Sequence, residues 1–423
     1  MSGEKEICWN NKERTVIKVC DAIMGSGKTE SAITAMNEDT ESRYIFITPY
    51  LDEVDRIKQR CAGRHFKSPA NWGKGKLDSL HELLARRENV ASTHALFSSY
   101  NRDTMMLIKN GGYKLIMDEV SVPLHTMPVS ANDVQMLKDS GYIAVDKDKR
   151  VRWINDKYKG SFSDLRSMCD SGNVTIYRGS VLIWGFPVEI FKAFRDVIVL
   201  TYMFSAQVQK YYFDVNKVGV KYIGVEWDGE TYRFCDTPCG NKHLIGIKDK
   251  IHISDDRKLN MIGDVETSLS VSWYAKAKKA PKKPNLERMR KNLLNFFRNK
   301  LKSASSETLW TTFKECQDSI SGKGYVRGFL SCNMRATNSY RERDKLAYCL
   351  NVYYNPILKN YFHERGVEVD EDAYALSEMV QWVWRSAIRD GKEIWLYIPS
   401  SRMRGLFTDW LDKVSTGIED RTA

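Results

Sequence analysis

A chain of 423 residues with a formal net charge of +11 and a sequence pI near 9.0 has room for roughly two or three domains and points to a polyanionic partner, nucleic acid before membrane. No apolar run approaches the ~20 residues needed to cross a bilayer; the longest, SVLIWGFPVEIF at 180–191, is broken by Gly185, Pro187 and Glu189, and the opening MSGEKEICWNNKER lacks a signal-peptide core. The nine cysteines form no framework, and Cys235 and Cys239 in CDTPC have no neighbouring Cys or His pair to complete a zinc site, so a reducing, cytoplasmic setting is expected.

In chain order, TVIKVCDAIMGSGKT at 15–29 reads as a buried strand running into a phosphate-binding loop and then the helix SAITAM. Gly25 and Gly27 let the backbone turn its N–H groups onto an anion, with Ser26 between them. Lys28 is placed to reach the outer phosphates, and the Thr29 hydroxyl to ligate Mg²⁺. The strand RYIFITP ends at Thr48-Pro49 and feeds the helix YLDEVDRIKQRC; a Gly- and Lys-rich loop from 63 to 75 precedes the helix LDSLHELLARR. VAST is a short strand leading at Thr93-His94 into a helix, and YKLIMDEV runs into Asp118 and Glu119. Strands alternating with helices predict an α/β fold with mostly parallel sheets, whose ligands sit at the carboxyl ends of the strands. A further core strand is expected to end at Thr201-Tyr202.

From 207 to 272 the runs shorten, and KYIGVEW and TYRFCDT suggest small β-hairpins. Residues 276–302 hold eleven Lys or Arg against one acid, Glu287, and place a boundary in a linker-like AKAKKAPKKPN followed by a basic helix. With Trp273, Tyr274, Phe296 and Phe297 nearby, this stretch offers charge for phosphates and rings for bases, although a basic helix face with buried Phe reads the same way. A second series follows, with strand candidates TLWTTFKEC, YVRGFLSCNM, KLAYCLNVYYNP and IWLYIPS and the helix ALSEMVQWVWRSAI.

Three groups carry chemistry. Asp118 suits water-mediated Mg²⁺ binding and Glu119 the orientation of an attacking water; an ordinary acidic strand end is the alternative. Gln381, Arg385 and Arg389, at i, i+4 and i+8 on a helix, are expected to line one face and could reach a γ-phosphate from a second domain; a solvated basic face is the alternative. The loop NMRATNSYRERDK, with Arg335, Thr337 and Asn338, could touch a phosphate backbone or be an ordinary polar loop.

Together these pieces resemble a superfamily 2 helicase. The family's first motif is commonly AxxGxGKT, matched from Ala22 to Thr29. ITP is similar to the motif that touches the nucleic-acid backbone, and DEVS at 118–121 resembles the DEAD/DEAH box. LTYMFSA at 200–206 holds the place of the Ser/Thr-Ala-Thr motif without matching it. TLWTTFKE resembles the strand opening the second RecA-like domain, and RATN at 335–338 its fifth motif. The last motif, Q-x-x-G-R-x-x-R, is met by Gln381 and Arg385, but Trp384 replaces the glycine and Arg389 sits one residue late, leaving the arginine finger open between the two. Compactness and the phrase QWVWRSAIRDGKEIWLYIPSSRMR look most like helicases encoded by bacteriophages.

The resemblance implies two RecA-like domains, at 1–206 and 304–423, with a small β-rich and basic insert at 207–303 between them. It implies ATP and Mg²⁺ as cofactors, and a nucleic-acid strand over Thr48, Pro49, Thr93, His94, Arg335, Thr337 and Asn338. Single-stranded or forked DNA is the first partner expected, with RNA as the other and no membrane. The function implied is an ATP-dependent helicase or translocase. The alternatives are a branch-migration or annealing translocase that never separates strands, and an NTP-gated nucleic-acid binder with little turnover.

Overall fold

A computed structural model describes residues 16–71, 75–155, 158, 160–332 and 339–417. The first unit begins with β1 (Val16–Asp21), β2 (Arg43–Thr48), β3 (Val90–Thr93) and β4 (Tyr113–Asp118). An excursion then carries β5 (Leu124–Thr126), β6 (Ile143–Val145), β7 (Val151–Trp153), β8 (Val174–Tyr177) and β9 (Val181–Gly185). The chain returns through β10 (Asp196–Thr201), β11 (Gly219–Trp227) and β12 (Tyr232–Cys235). The sheet order is β12-β11-β1-β10-β4-β2-β3, parallel throughout except for the β11–β12 hairpin. Every residue of β2 after Arg43 is buried, as helices on both faces of a parallel sheet require. The β5-β9-β8 sheet and the β6–β7 hairpin form the excursion, whose Phe186 and Phe191 pack on Phe97 with ring centroids 4.7 and 5.6 Å apart.

The second unit is a four-stranded parallel sheet, β13 (Ile251–Ile253), β14 (Thr308–Thr311), β15 (Lys345–Tyr348) and β16 (Ile394–Tyr397), in the order β13-β16-β15-β14. One face carries the long helices Glu371–Val383 and Ser401–Ser415. The other carries Val271–Lys279 and Pro284–Leu294, whose buried stripe of Tyr274, Ala277, Leu286, Met289 and Leu293 meets Trp310 and Tyr397.

The two units interlock. Ile23 and Tyr202, from the first, lie in the same apolar cluster as Trp384 and Trp410 of the second. In return Tyr354, Leu358 and Phe362 lie in the first unit's core. Each such side chain contributes about 1.5–3 kcal/mol on burial, so the cleft between the units is held shut by apolar contact.

Several expectations need correction. Residues 207–303 are not a separate insert: β11 and β12 extend the first sheet, and β13 with the two basic helices belongs to the second unit. The short alternating runs disguised β11, whose half-buried pattern reflects a strand near the sheet edge. The true insertion is the excursion between β4 and β10. Tyr274, Phe296 and Phe297 are buried, so they pack the second unit and cannot stack on bases. Of the expected strand YVRGFLSCNM, the described residues 325–332 form a 3₁₀ turn at Val326–Gly328 and one isolated bridge from Phe329 to Trp310.

Candidate functional site

The phosphate-loop geometry is present. Gly25 and Gly27 adopt φ of +92° and +94°, a region that side chains disfavour, and the helix Lys28–Glu38 starts directly after them. A tight turn is closed by the Ser26 N–H donating to the Ile23 carbonyl at 3.2 Å. Lys28 is buried, and its ammonium is folded onto the loop's own carbonyls, donating to Ile23 at 3.1 Å and to Ala22.

A cavity of about 310 Å³ opens here between the units. Gly25, Gly27, Lys28, Thr29, Asp118 and Glu119 line it from the first unit, and Gln381, Arg385 and Arg389 from the second. Nine of the ten predicted catalytic and cofactor positions thus line one cavity; the tenth, Ser26, is buried and is not part of its wall. The route by which the second-unit groups arrive differs from expectation. The helix ends at Val383 and a 3₁₀ turn covers Ala387–Asp390, so Gln381, Arg385 and Arg389 share no helical face. Trp382 and Trp384 bury their rings where the helix stops, and the chain breaks to satisfy them. Arg389 nevertheless lies against the loop, its Cγ and Nε at 3.7 and 3.9 Å from where a Cβ on Gly25 would stand.

The cavity is lined mainly by charged and polar side chains. Burial pushes the Asp118 carboxyl up to about 7, with the charges of Glu119 and Glu53 adding and Lys28 and Arg56 opposing. Glu119 sits at φ +64°, a costly backbone position for a non-glycine residue. The peptide before it is clamped from both sides: the Glu119 N–H donates to Leu200 O at 2.9 Å, and His94 Nε2 donates to Asp118 O at 2.9 Å. Burial also lowers the proton affinity of Arg389, and Arg341 adds to that effect. Among the described residues, Ser26 Oγ, Glu119 Oε2 and Gln381 Nε2 are buried without a hydrogen-bond partner. Such groups are costly to leave unmet, and Glu119 and Gln381 both line the cavity. Thr29 and Asp118 would hold the Mg²⁺; no cluster of three or more His, Cys, Asp or Glu side chains able to hold a metal by themselves occurs among the described residues.

Sequence reasoning missed five residues here. Glu30, Glu53 and Arg56 form a charged wall, with Arg56 donating to Glu30 at 2.5 Å and Glu53 at 3.0 Å. Arg341 enters from the second unit, its Nε 2.7 Å from Asp390 Oδ1; its place in an arginine-rich loop was the available signal. Asp21, directly before the loop, is a buried carboxylate accepting from the N–H groups of Met203 and Phe204 at 2.7 and 2.8 Å. Through it LTYMFSA is bound to the phosphate-loop strand.

The larger cavity lies elsewhere. A groove of about 920 Å³ runs beside the carboxyl ends of β2 and β3, between the excursion and the second unit. Pro49 and His94 line it, together with Tyr50, Tyr100, His125, Trp184 and Tyr354. Thr93 caps the short helix His94–Phe97. Thr48 is completely buried, so Pro49 presents that turn to the groove in its place. Arg335, Thr337 and Asn338 lie outside the described residues. The excursion also touches the second unit where Arg178 pairs with Glu364 at 2.6 Å and Tyr177 meets Tyr361 edge-on.

These features define an α/β protein of two mainly parallel sheets, with a phosphate-loop cavity between them. The chain belongs to the YonV family: it is 42% identical over 412 residues to the SPbeta prophage-derived protein YonV of Bacillus subtilis (strain 168), covering 94% of this chain and 98% of that one. The family model of the YonV C-terminal Rossmann-like domain matches residues 246–411, and that of the YonV middle domain matches 124–184. Those spans coincide with the second unit and the excursion. Among solved structures, an XPD helicase is similar at 11% identity and a TM-score of 0.41, covering 95% of each chain. S. tokodaii Xpd4 is similar at 12% identity and a TM-score of 0.45, covering 97% of this chain and 95% of the other.

Proposed function

We propose that the chain is an ATP-dependent nucleic-acid helicase or translocase of the superfamily 2 kind, hydrolysing ATP in the cleft between its two units. One observation carries the reading: Gly25, Gly27, Lys28, Thr29, Asp118, Glu119, Gln381, Arg385 and Arg389 come from two separate units yet line a single cavity. When bound, Mg²⁺ supplies Lewis-acid charge to the phosphoryl oxygens. The protein's own part is positioning. Lys28 leaves its carbonyl partners for the outer phosphates, Glu119 orients a water through the oxygen that now lacks a partner, and Arg389 or Arg385 offsets charge developing on the transferred group.

A single strand of DNA, or of RNA, would lie in the groove beside Pro49 and His94, with the half-buried rings of Tyr50 and His125 as stacking surfaces. The prophage-derived relative supports a phage-encoded protein working in the host cytoplasm. No described helix is long and apolar enough to span a membrane.

The test is ATP hydrolysis measured in parallel with single-stranded DNA, duplex DNA and RNA, with Lys28→Ala as control. Stimulation by one of them, lost in the variant, is the expected result; full turnover by Lys28→Ala overturns the reading. The alternative of an NTP-gated binder with little turnover draws on the apolar interlock of Ile23 and Tyr202, which resists opening of the cleft. Nucleotide-dependent strand binding without multiple turnovers would favour it.

A further inference from the structure

The β11–β12 hairpin does more than extend the sheet. It lies along the phosphate-loop helix and is fastened to it by Thr231 Oγ1 against Thr34 Oγ1 at 2.8 Å and by Arg233 against Glu38 at 2.6 Å. Its turn is set by the Asp228 carboxylate, which accepts from the N–H groups of Glu230 and Thr231, both at 2.9 Å. Tyr232 is therefore held at a fixed height over the loop. Its ring lies directly on Gly27, where an added Cβ would stand only 2.3 Å from Cδ1 and 2.5 Å from Cγ. The same ring lines the cavity that holds Lys28 and Thr29. Trp227 braces it edge-on, with centroids 5.0 Å apart at 64°, and is itself 57% exposed.

This aromatic pair is out of place among phosphate-binding groups. The remaining walls of the cavity are charged or amide-bearing: Lys28, Glu30, Glu53, Arg56, the Asp118-Glu119 pair and the arginines. None offers a flat apolar face except Trp384, which is buried. A nucleoside triphosphate whose phosphates occupy the loop still has a base to place, and a fixed ring at the mouth meets that need. Resting on the nucleotide reading above, we infer that Tyr232, braced by Trp227, is the platform on which the nucleobase stacks. Because every base has a π-face, such a platform selects nucleotides over inorganic polyphosphate and discriminates only weakly among bases. Gly27 is required twice over, for its positive φ and to let the ring approach.

Binding of ATP and of inorganic tripolyphosphate, each with Mg²⁺, to the full chain separates the roles by titration calorimetry. Tyr232→Ala is expected to lose about 10- to 100-fold in ATP affinity while keeping tripolyphosphate within about twofold, and Tyr232→Phe to keep both. Equal loss of both ligands in Tyr232→Ala means that the ring only braces the loop, and overturns the inference. ATP binding that Lys28→Ala abolishes but Tyr232→Ala leaves intact overturns it while sparing the nucleotide reading. Failure of the unsubstituted chain to bind ATP overturns both.

Discussion

Replacing Arg389 with alanine tests the cleft most sharply. An arginine aimed at the transferred phosphoryl group is worth ~10³–10⁵ in turnover where it acts alone. Here it shares the cavity with Arg385, Arg341 and Lys28, so about 10²–10³ is expected, or about 3–4 kcal/mol of transition-state stabilisation. One observation singles out Arg389: its side chain lies within van der Waals reach of the Gly25 position. Arg341 is paired with Asp390 at 2.5 and 2.7 Å, and Arg341→Ala should cost about tenfold or less. Arg389→Lys should recover little, because an ammonium lacks the planar fork. The assay is steady-state ATP hydrolysis with kcat and KM resolved; loss in kcat at nearly constant KM marks a transition-state contact. If Arg389→Ala stays within about threefold of the parent while Arg385→Ala falls a thousandfold, the finger is Arg385. If neither changes turnover, the second unit does not complete the site and the two-unit mechanism is refuted.

Glu119→Gln should retain nucleotide binding and lose about 10²–10⁴ in turnover, measured by single-turnover hydrolysis; unchanged turnover would remove Glu119 from the chemistry. Asp39 accepts hydrogen bonds from Lys114 at 2.6 Å, Tyr44 at 2.7 Å and Ser42 at 3.1 Å; burial works to raise its carboxyl, but these partners hold it below the usual carboxylate value. A depressed folded-state value stabilises the protein above the unfolded value of ~3.9 and that contribution is lost as pH falls through the folded one. Asp39→Asn should therefore cost about 2 kcal/mol at pH 7 and progressively less below pH 4 in thermal melts, and an equal cost at both pH values would contradict the argument.

Much of the first unit was legible because buried parallel strands write themselves as apolar runs. Val16–Asp21, Arg43–Thr48 and Tyr113–Asp118 each run at once into a cavity wall, at Met24 and Gly25, at Pro49 and at Asp118 itself, and that order survives in one dimension. The excursion was not legible in the same way. Its strands run from three to five residues, and their packing comes from Phe97 and Tyr100, which belong to the unit they cap. The second unit misled for a related reason. Its basic helices bury only one narrow stripe, so charge dominates the composition while Leu286, Met289 and Leu293 make the fold. Helix length failed at Trp384, where burial of two tryptophan rings overrode helical continuity. The convergence of Gln381, Arg385 and Arg389 on the loop survived because a break in the helix can redirect side chains toward the same target that a continuous face would present. Tyr232 had no local signal at all: its significance lies in the height of a hairpin over Gly27, far earlier in the chain.

The two cavities are joined by a single peptide plane. His94 stands in the wall of the groove and donates to the carbonyl of Asp118, while the amide of the same peptide is fixed by Leu200. That double attachment holds Glu119 at its unfavourable φ of +64°, and strain of this kind persists only where surrounding contacts enforce it. Displacing His94 from the groove side would free the carbonyl, and the peptide could then relax by rotating, which swings the Glu119 carboxylate relative to Lys28 and Thr29. On the proposed reading, occupancy of the groove therefore reaches the water-orienting group through one hydrogen bond and one strained residue. The strand track and the nucleotide cleft would need no long relay, because they share the two ends of a single β-strand terminus, and the excursion inserted right after Asp118 and Glu119 would act on that terminus directly.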